Sequence, residues 1–195
     1  MSKAGATRTD ILKKAFDLIY KNGYQATSID HILETTSVTK GAFYHHFKSK
    51  EEMGIALIED VVHIEIWPTI QKSIGASKDF RKNLYQMLKD LLIAHPLLTA
   101  DYGCPAVNLI QEMAPINENF RKALKKNQTK WRKLIEDEIV RAQAAGQLSG
   151  GHNPETIALY IITLYHGVRT MGKVLGKGYY NTFLKEYNNY LESLK

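Results

Sequence analysis

The chain has 195 residues, of which 44% are hydrophobic and 24% charged, a composition typical of globular proteins. No apolar run approaches the roughly 20 residues that span a bilayer, the first ten residues lack the apolar segment of a secretory signal, and the lone Cys104 excludes an intrachain disulfide. The net charge is +6, with 8 Lys/Arg against 4 Asp/Glu in residues 1–50. This excess suits phosphate binding, although solvated surfaces often carry as much. We expect a cytoplasmic protein without a membrane segment.

The first predicted helix begins at Thr9 and ends at Gly23, because apolar residues recur at helical spacing between them and glycine commonly follows a helix. The second begins at Thr27, whose hydroxyl is expected to cap it, with Asp30 at the positive helix end. Its apolar stripe stops before residues 36–38, where two β-branched residues and a serine favour a turn.

A third short helix follows Thr39, which is expected to cap it. Phe43 and Phe47 are expected to pack inward. The outward positions carry basic and aromatic side chains: Lys40, Gly41, Tyr44, His45 and His46. Two short helices joined by a tight turn, the second exposing such a face, are typical of a DNA-binding helix-turn-helix.

The candidate DNA-binding residues fall into two groups. Hydroxyl groups at helix starts and one lysine suit phosphate oxygens and would set the register: Thr27, Ser28, Thr39 and Lys50. The outward residues of the third helix could reach base edges or phosphates: Lys40, Gly41, Tyr44, His45 and His46. Capping alone would explain Thr27 and Thr39, and the aromatic rings, His46 above all, could instead pack against the preceding helix.

From Arg8 through Ile58 the sequence resembles the TetR family of bacterial transcriptional regulators, in the segments NGYQATSIDHI and TKGAFYHHFKSKEE. The resemblance implies an all-α fold. Residues 1–50 would form a three-helix DNA-binding domain with a helix-turn-helix, and residues 51–195 a larger helical domain for ligand sensing and dimerisation. It also implies that Tyr44 and His45 occupy positions that touch phosphates or base edges in the family.

The next helix has a capping box in Ser49 and Glu52 and is expected to connect the two domains until Pro68 kinks or breaks it. Further helices are predicted from Ser77 to His95, from Cys104 to Met113, from Asn117 to Gly146, from Asn153 onward, and from Tyr179 to Leu194. The last two are apolar on more than one face. Family resemblance assigns them, over residues 155–174 and 179–194, to a homodimer interface, whereas in a monomer they would be interior helices.

The sensor region is less specific. Aromatic, sulfur-containing and polar residues that could line a ligand pocket are Trp67, Tyr102, Cys104, Asn108, Met113, Trp131, Tyr165, His166 and Met171. Most could equally be plain core. Cys104 at a helix start could serve as a redox or electrophile sensor, and the lysine-rich stretch of residues 122–133 is interpreted as a solvated face rather than an anion site.

Two other classes of function compete. An enzyme would need catalytic or metal-ligand spacing, and the sequence has no phosphate loop, nucleophile elbow or HExxH motif. A helical adaptor that binds only protein would make the face of the third helix incidental. We therefore expect no catalytic residues, metal or cofactor, and a homodimeric repressor that binds a palindromic double-stranded DNA operator and is released by a small-molecule inducer.

Overall fold

The computed structural model describes the backbone of residues 3–194 and the side chains of residues 5–61 and 64–194. Within residues 3–194 all regular secondary structure is helical, which confirms the predicted all-α class. The α-helices are α1 (Lys3–Asn22), α2 (Ile29–Glu34), α3 (Lys40–His46), α4 (Lys50–Ala56), α5 (Trp67–Ser73), α6 (Phe80–Lys89), α7 (Pro105–Met113), α8 (Glu118–Ala144), α9 (Pro154–Leu175) and α10 (Gly178–Ser193), with π-helical segments at Leu57–Ile66 and Asp90–Ala94.

The chain forms two compact units that are discontinuous in sequence. The first unit combines Met1–Ile64 with Pro105–Asn127, and the second combines Glu65–Cys104 with Gln128–Lys195. The first unit therefore contains α7 and the first turns of α8 in addition to the N-terminal helices. The division of function between residues 1–50 and 51–195 stays a prediction.

Helix α1 begins earlier than its expected start at Thr9. The hydroxyl of Thr9 donates to the carbonyl of Gly5 one turn back, at 3.0 Å, so this threonine lies inside the helix instead of capping it. The buried face is as predicted, with Ile11, Ala15 and Phe16 withdrawn from solvent. Gly23 follows the helix with a φ of +92°, a conformation that glycine adopts without strain.

Helix α2 is capped by Ser28 and not by Thr27, so the predicted cap was wrong by one position. Ser28 Oγ accepts from the amide of His31 at 3.0 Å, whereas Thr27 is buried and its hydroxyl donates to the carbonyl of Gly23 at 2.8 Å. Because the turn uses the Thr27 hydroxyl, the next serine is left to satisfy the first amides of the helix.

The predicted N-caps of α3 and α4 are confirmed, but the predicted capping box of α4 is incomplete, because the Glu52 carboxylate does not bind the amide of Ser49. Thr39 Oγ1 accepts from the amide of Ala42 at 3.2 Å, and Ser49 Oγ accepts from the amide of Glu52 at 3.1 Å. The Glu52 carboxylate in turn accepts from the amide of Lys48 at 2.8 Å. These hydrogen bonds fix the starts of α3 and α4.

Pro68 does not break the connecting helix. The segment Leu57–Ile66 is π-helical, and Pro68 lies in the first turn of α5 that follows it. A proline in a first helical turn gives up no hydrogen bond that the helix needs, which is why the backbone remains helical to Ser73.

The second unit is built on contacts among α6, α9 and α10. Tyr180, Tyr187 and Leu191 of α10 are buried, and the guanidinium of Arg169 on α9 is fully enclosed. Arg169 donates to the carbonyl of Gly103 at 2.6 Å and to the hydroxyl of Tyr180 at 3.3 Å.

Among the described residues, no helix is both long enough and apolar enough to cross a membrane.

Candidate nucleic-acid interface

Helix α3 separates its side chains as the sequence predicted. Phe43 is fully buried and Phe47, which ends the helix, is 1% exposed. On the opposite side Lys40, Gly41, Tyr44 and His45 are exposed to solvent, a polar and aromatic surface on a helix whose apolar face is anchored in the core. We call these four residues the α3 face.

Lys40 is paired before any DNA is bound. Its ammonium donates to the carboxylate of Asp30 on α2 at 2.9 Å, and this hydrogen bond raises the pKa of Lys40. Because both side chains are more than half exposed, solvent screens the pair and a phosphate or base acceptor can replace Asp30 at small cost.

His46 lies between the two surfaces of α3. It is half-buried, and its ring centroid is 5.3 Å from that of His45 and 6.5 Å from that of Phe47. The position of the His46 ring is therefore equally compatible with packing against its neighbours and with contact to DNA.

The residues expected to contact phosphates occupy different environments. Ser28 and Thr39 are exposed at the starts of α2 and α3. Thr27 is 1% exposed, so its side chain is not presented to a phosphate, and its hydrogen bond to Gly23 gives it a role inside the turn. Lys50 is half-buried at the start of α4, and burial lowers the pKa of its ammonium.

The residues predicted to line a ligand pocket are divided between the two units. Asn108 and Met113 lie on α7 in the first unit, where Asn108 lines a small cavity with Phe16, Leu57 and other residues. The remaining seven belong to the second unit. Of these, Met171 is exposed, Cys104 is buried, and Trp67 is buried with the ammonium of Lys130 4.4 Å from its ring centroid.

Three of the predicted pocket residues are brought together. The ring centroids of Trp131 and Tyr165 are 5.0 Å apart at an interplanar angle of 87°, and His166 lies 6.0 Å from Trp131 and 5.9 Å from Tyr165. We call Trp131, Tyr165 and His166 the aromatic cluster. Edge-to-face contact of this kind is the favoured arrangement of aromatic rings.

The aromatic cluster contains buried polar atoms without hydrogen bonds. Within the part of the chain that the structure describes, Trp131 Nε1 and His166 Nε2 have no partner, and neither does Oε1 of Gln128, one turn before Trp131. Burial lowers the pKa of His166 to about 4, so its imidazole is neutral at pH 7. Unpaired buried donors and acceptors are costly, and a ligand that pairs with them would recover that cost.

Two protein-family models match separate segments of the chain. Residues 11–57 match "Bacterial regulatory proteins, tetR family", and residues 84–184, more than half of the chain, match "Tetracyclin repressor-like, C-terminal domain". The protein belongs to the TetR family. The family consists of transcriptional regulators, in agreement with the resemblance that the sequence carries.

Individual TetR-family proteins support this assignment. An uncharacterized HTH-type transcriptional regulator in the lacX 3' region of Lactococcus lactis is 38% identical over 120 residues, 60% of each chain. The HTH-type transcriptional repressor NemR of Escherichia coli K12 is 29% identical over 123 residues, 62% of this chain and 60% of NemR. These alignments thus span about three fifths of either relative. A TetR-family regulator from Cytophaga hutchinsonii has the same fold, with a TM-score of 0.89 at 21% identity over 100% of this chain and 98% of that one.

One set of contacts within the first unit was missed by sequence reasoning. Glu112 of α7 and Phe120 of α8 contact the turn between α1 and α2, and Gly54 of α4 lies against the same turn. Glu112 and Phe120 are more than 85 positions from the turn along the chain. No local pattern reports such a contact, and only Gly54, an unexplained glycine inside a helix, carried a signal that could have been used.

Gly41 provides a test of the α3 face that separates DNA contact from folding. A methyl group added at this position would have no atom within 4 Å in the free protein, so Gly41→Ala should fold normally and gain up to about 1 kcal/mol of stability from helix propensity. If the backbone approaches DNA closely here, affinity should fall by about tenfold or more. Urea denaturation and DNA titration measure the two effects, and unchanged DNA affinity would argue against close approach.

The neutral His166 predicts a pH dependence of stability. Its pKa is lowered from 6.5 to about 4 in the folded protein, so between these pH values the unfolded state binds the proton more readily than the folded state. The free energy of unfolding is therefore at its full value above pH 6.5 and decreases as the pH falls from 6.5 towards 4. The expected loss at pH 5 relative to pH 7.5 is about 2 kcal/mol. Urea denaturation of wild type and His166→Gln at both pH values isolates this contribution, and equal pH dependence of the two proteins would contradict it.

Proposed function

We propose that this TetR-family protein is a homodimeric repressor that binds a palindromic operator with one α3 helix in each half-site and leaves it when a small molecule binds the second unit. The role of repressor is supported by the similarity to NemR, which is named a transcriptional repressor. A symmetric dimer matches a DNA sequence with the same two-fold symmetry, and its half-sites are spaced by about one helical turn or a multiple of it.

The observation that carries the DNA-binding part is the separation of faces on α3. Phe43 and Phe47 fix the helix in the core, so Lys40, Gly41, Tyr44 and His45 are presented by a helix that cannot rotate freely. Lys40 can bind guanine acceptors or a phosphate, and Tyr44 and His45 can read base edges. Ser28, Thr39 and Lys50 are proposed to hold the phosphate backbone on either side.

The homodimer is proposed to form through α9 and α10, over residues 155–174 and 179–194. Helix α9 exposes large apolar side chains that include Val174 at 80%, Leu159 at 56% and Leu175 at 51%. Tyr160 on α9 and Tyr179 on α10 are also partly exposed. An apolar surface of this extent is typical of an association site, and a two-fold axis would bring the same surface of a second copy onto it.

Val174→Asp should therefore shift the protein to monomer. A carboxylate buried at a dimer interface lacks a partner and its desolvation disfavours association, so the dimer dissociation constant should rise by about 100-fold or more. Ile116→Asp is the matched control, because Ile116 is likewise an exposed apolar side chain, at 65%, but lies in the first unit. Light scattering at micromolar concentration gives the oligomeric state, and a dimer that persists in Val174→Asp would exclude this surface.

The effector is proposed to bind at the aromatic cluster. The groups without partners are an indole N–H, a neutral imidazole nitrogen and an amide oxygen, of Trp131, His166 and Gln128. These groups are all uncharged and include donors and acceptors, so they favour an uncharged, polar and flat molecule over an ion. Release from DNA then requires that the effector bind the form that does not bind DNA more tightly than the form that does.

Selection of DNA from a pool of random duplexes tests the proposed function directly. Wild-type protein should enrich a palindrome and bind it with strong salt dependence. Lys50→Ala should weaken binding to all duplexes and reduce the salt slope, whereas Tyr44→Ala should change which duplex is preferred. If no sequence is enriched, or if both variants bind as wild type does, the proposed interface is wrong.

A further inference from the structure

Glu112 of α7 binds the backbone of the turn that joins α1 to α2. One carboxylate oxygen accepts from the amide of Tyr24 at 2.9 Å, and the other accepts from the amide of Gln25 at 2.7 Å. The carboxylate also lies beside Gly23, since a methyl group there would be 3.4 Å from both of its oxygens. A single side chain on a distant helix thus satisfies two consecutive backbone donors through charge-assisted hydrogen bonds, which are stronger than neutral ones.

The same turn is held from its other sides by residues of the first unit. The ring of Tyr24 is buried and meets the ring of Phe120 edge-on, with 4.7 Å between centroids. The ammonium of Lys50 lies 4.3 Å from the centroid of the Tyr24 ring and donates to the carbonyl of Gln25 at 3.4 Å. The N–H and the C=O of Gln25 are therefore bound by side chains of opposite charge.

This turn determines where the helix-turn-helix begins. Thr27 closes the turn through its hydrogen bond to Gly23, and Ser28 caps α2 immediately afterwards. Helix α2 leads through a short connection to α3, which carries Lys40, Gly41, Tyr44 and His45. A displacement of the turn would move α2 and α3 relative to α4 within the first unit.

We propose that Glu112 is a positioning residue for DNA binding, which holds the turn of residues 23–25 so that α3 keeps the orientation that operator DNA requires. Helix α7 starts at Pro105, where the chain passes from the second unit into the first. The hydrogen bonds of Glu112 therefore connect the segment that enters the DNA-binding unit to the turn that sets α2. The inference rests on DNA binding through α3 and adds a residue that does not touch DNA.

The proposal predicts a selective loss of affinity. Glu112→Ala removes both acceptors, and Glu112→Gln leaves one and places an NH₂ group against the other backbone donor. Affinity for the duplex selected by wild type should fall by roughly tenfold to 100-fold. Affinity for a random-sequence duplex should change less than threefold, because phosphate contacts tolerate small displacements that base contacts do not.

The matched control is Glu118→Gln. Glu118 is an exposed glutamate at the start of α8 that pairs with Arg121 at 2.8 Å, and its loss should leave both affinities unchanged. Thermal melts of the full-length proteins establish that the variants are folded, and Glu112→Gln, which keeps the side-chain volume, is used if Glu112→Ala is unstable. Failure of wild type to select any duplex would count against DNA binding through α3 and not specifically against Glu112.

Amide hydrogen exchange provides a readout that needs no DNA. In Glu112→Ala the amides of both Tyr24 and Gln25 should exchange at least tenfold faster than in wild type, and in Glu112→Gln at least one of them should. The amide of Phe43, which donates to the carbonyl of Thr39 at 3.0 Å, should not change. Faster exchange at the turn together with lower operator affinity supports the proposal. Operator affinity equal to that of wild type in the Glu112 variants, or unchanged exchange at Tyr24 and Gln25, would overturn it.

Discussion

Gly54→Val is expected to destabilise the first unit by about 3 kcal/mol and to weaken the proposed DNA binding near the lowered melting temperature. A methyl group at position 54 would lie 2.6 Å from the ring of Phe120 and 2.7 Å from that of Tyr24, well inside van der Waals contact. Phe120 and Tyr24 are buried, at 0% and 6% exposure, so neither ring can move aside into solvent. The space between α4, the α1–α2 turn and α8 therefore admits only glycine.

Urea denaturation followed by circular dichroism measures this loss, and Gly54→Ala should show a smaller one because helix propensity offsets part of the overlap. The control is Gly150→Ala, since a methyl group at Gly150 would meet no atom within 4 Å and should leave stability unchanged. Wild-type stability in Gly54→Val would mean that the packing between α4 and α8 is looser than the structure indicates.

Glu138→Ala is expected to destabilise the second unit by about 3 kcal/mol. Glu138 is 2% exposed on α8, and its carboxylate accepts from the side-chain amide of Asn83 at 2.7 Å and from the guanidinium of Arg141. Asn83 in turn binds the backbone of Ser77 as donor and acceptor, at 2.9 Å and 2.8 Å. Removal of the carboxylate leaves a buried amide donor with one partner fewer and a cavity beside it.

Glu138→Gln should cost less, about 1–2 kcal/mol, because its amide oxygen still accepts from Asn83, whereas the charge interaction with Arg141 and the hydrogen bond from Arg141 Nε are lost. Asp137→Ala is the control, since Asp137 is the neighbouring exposed carboxylate and pairs with Lys133 at the surface. Urea denaturation of the three variants gives the order of their free energies of unfolding. Equal stability of Glu138→Ala and Asp137→Ala would show that the buried hydrogen bonds do not contribute.

The helices and the face of α3 could be predicted because their signals are local. Phe43 and Phe47 are four positions apart and fall on the same side of a helix, which leaves Lys40, Tyr44 and His45 on the other. The caps at Thr39 and Ser49 were also correct, since each side chain accepts from the amide three positions ahead. Thr27 and Ser28 are adjacent hydroxyl residues that can both cap a helix, so the sequence pattern did not show which of them caps α2.

The sensor region was less predictable because a pocket is formed by residues from different helices. Trp131, Tyr165 and His166 are in contact, but Asn108 and Met113, which the sequence grouped with them, belong to the first unit. Residue type shows that a side chain can line a pocket. It carries no information on which other side chains it will meet.

The sequence by itself determined the helical class, the family and the α3 face, because helical periodicity, capping and a dense local motif all act over a few residues. Only the tertiary structure decided that α7 and the first turns of α8 belong to the same unit as α1–α4, and that the Glu112 and Lys50 side chains bind the N–H and the C=O of Gln25. These contacts join residues up to 88 positions apart. They follow from how the chain packs, and packing over that distance leaves no periodic pattern in the sequence.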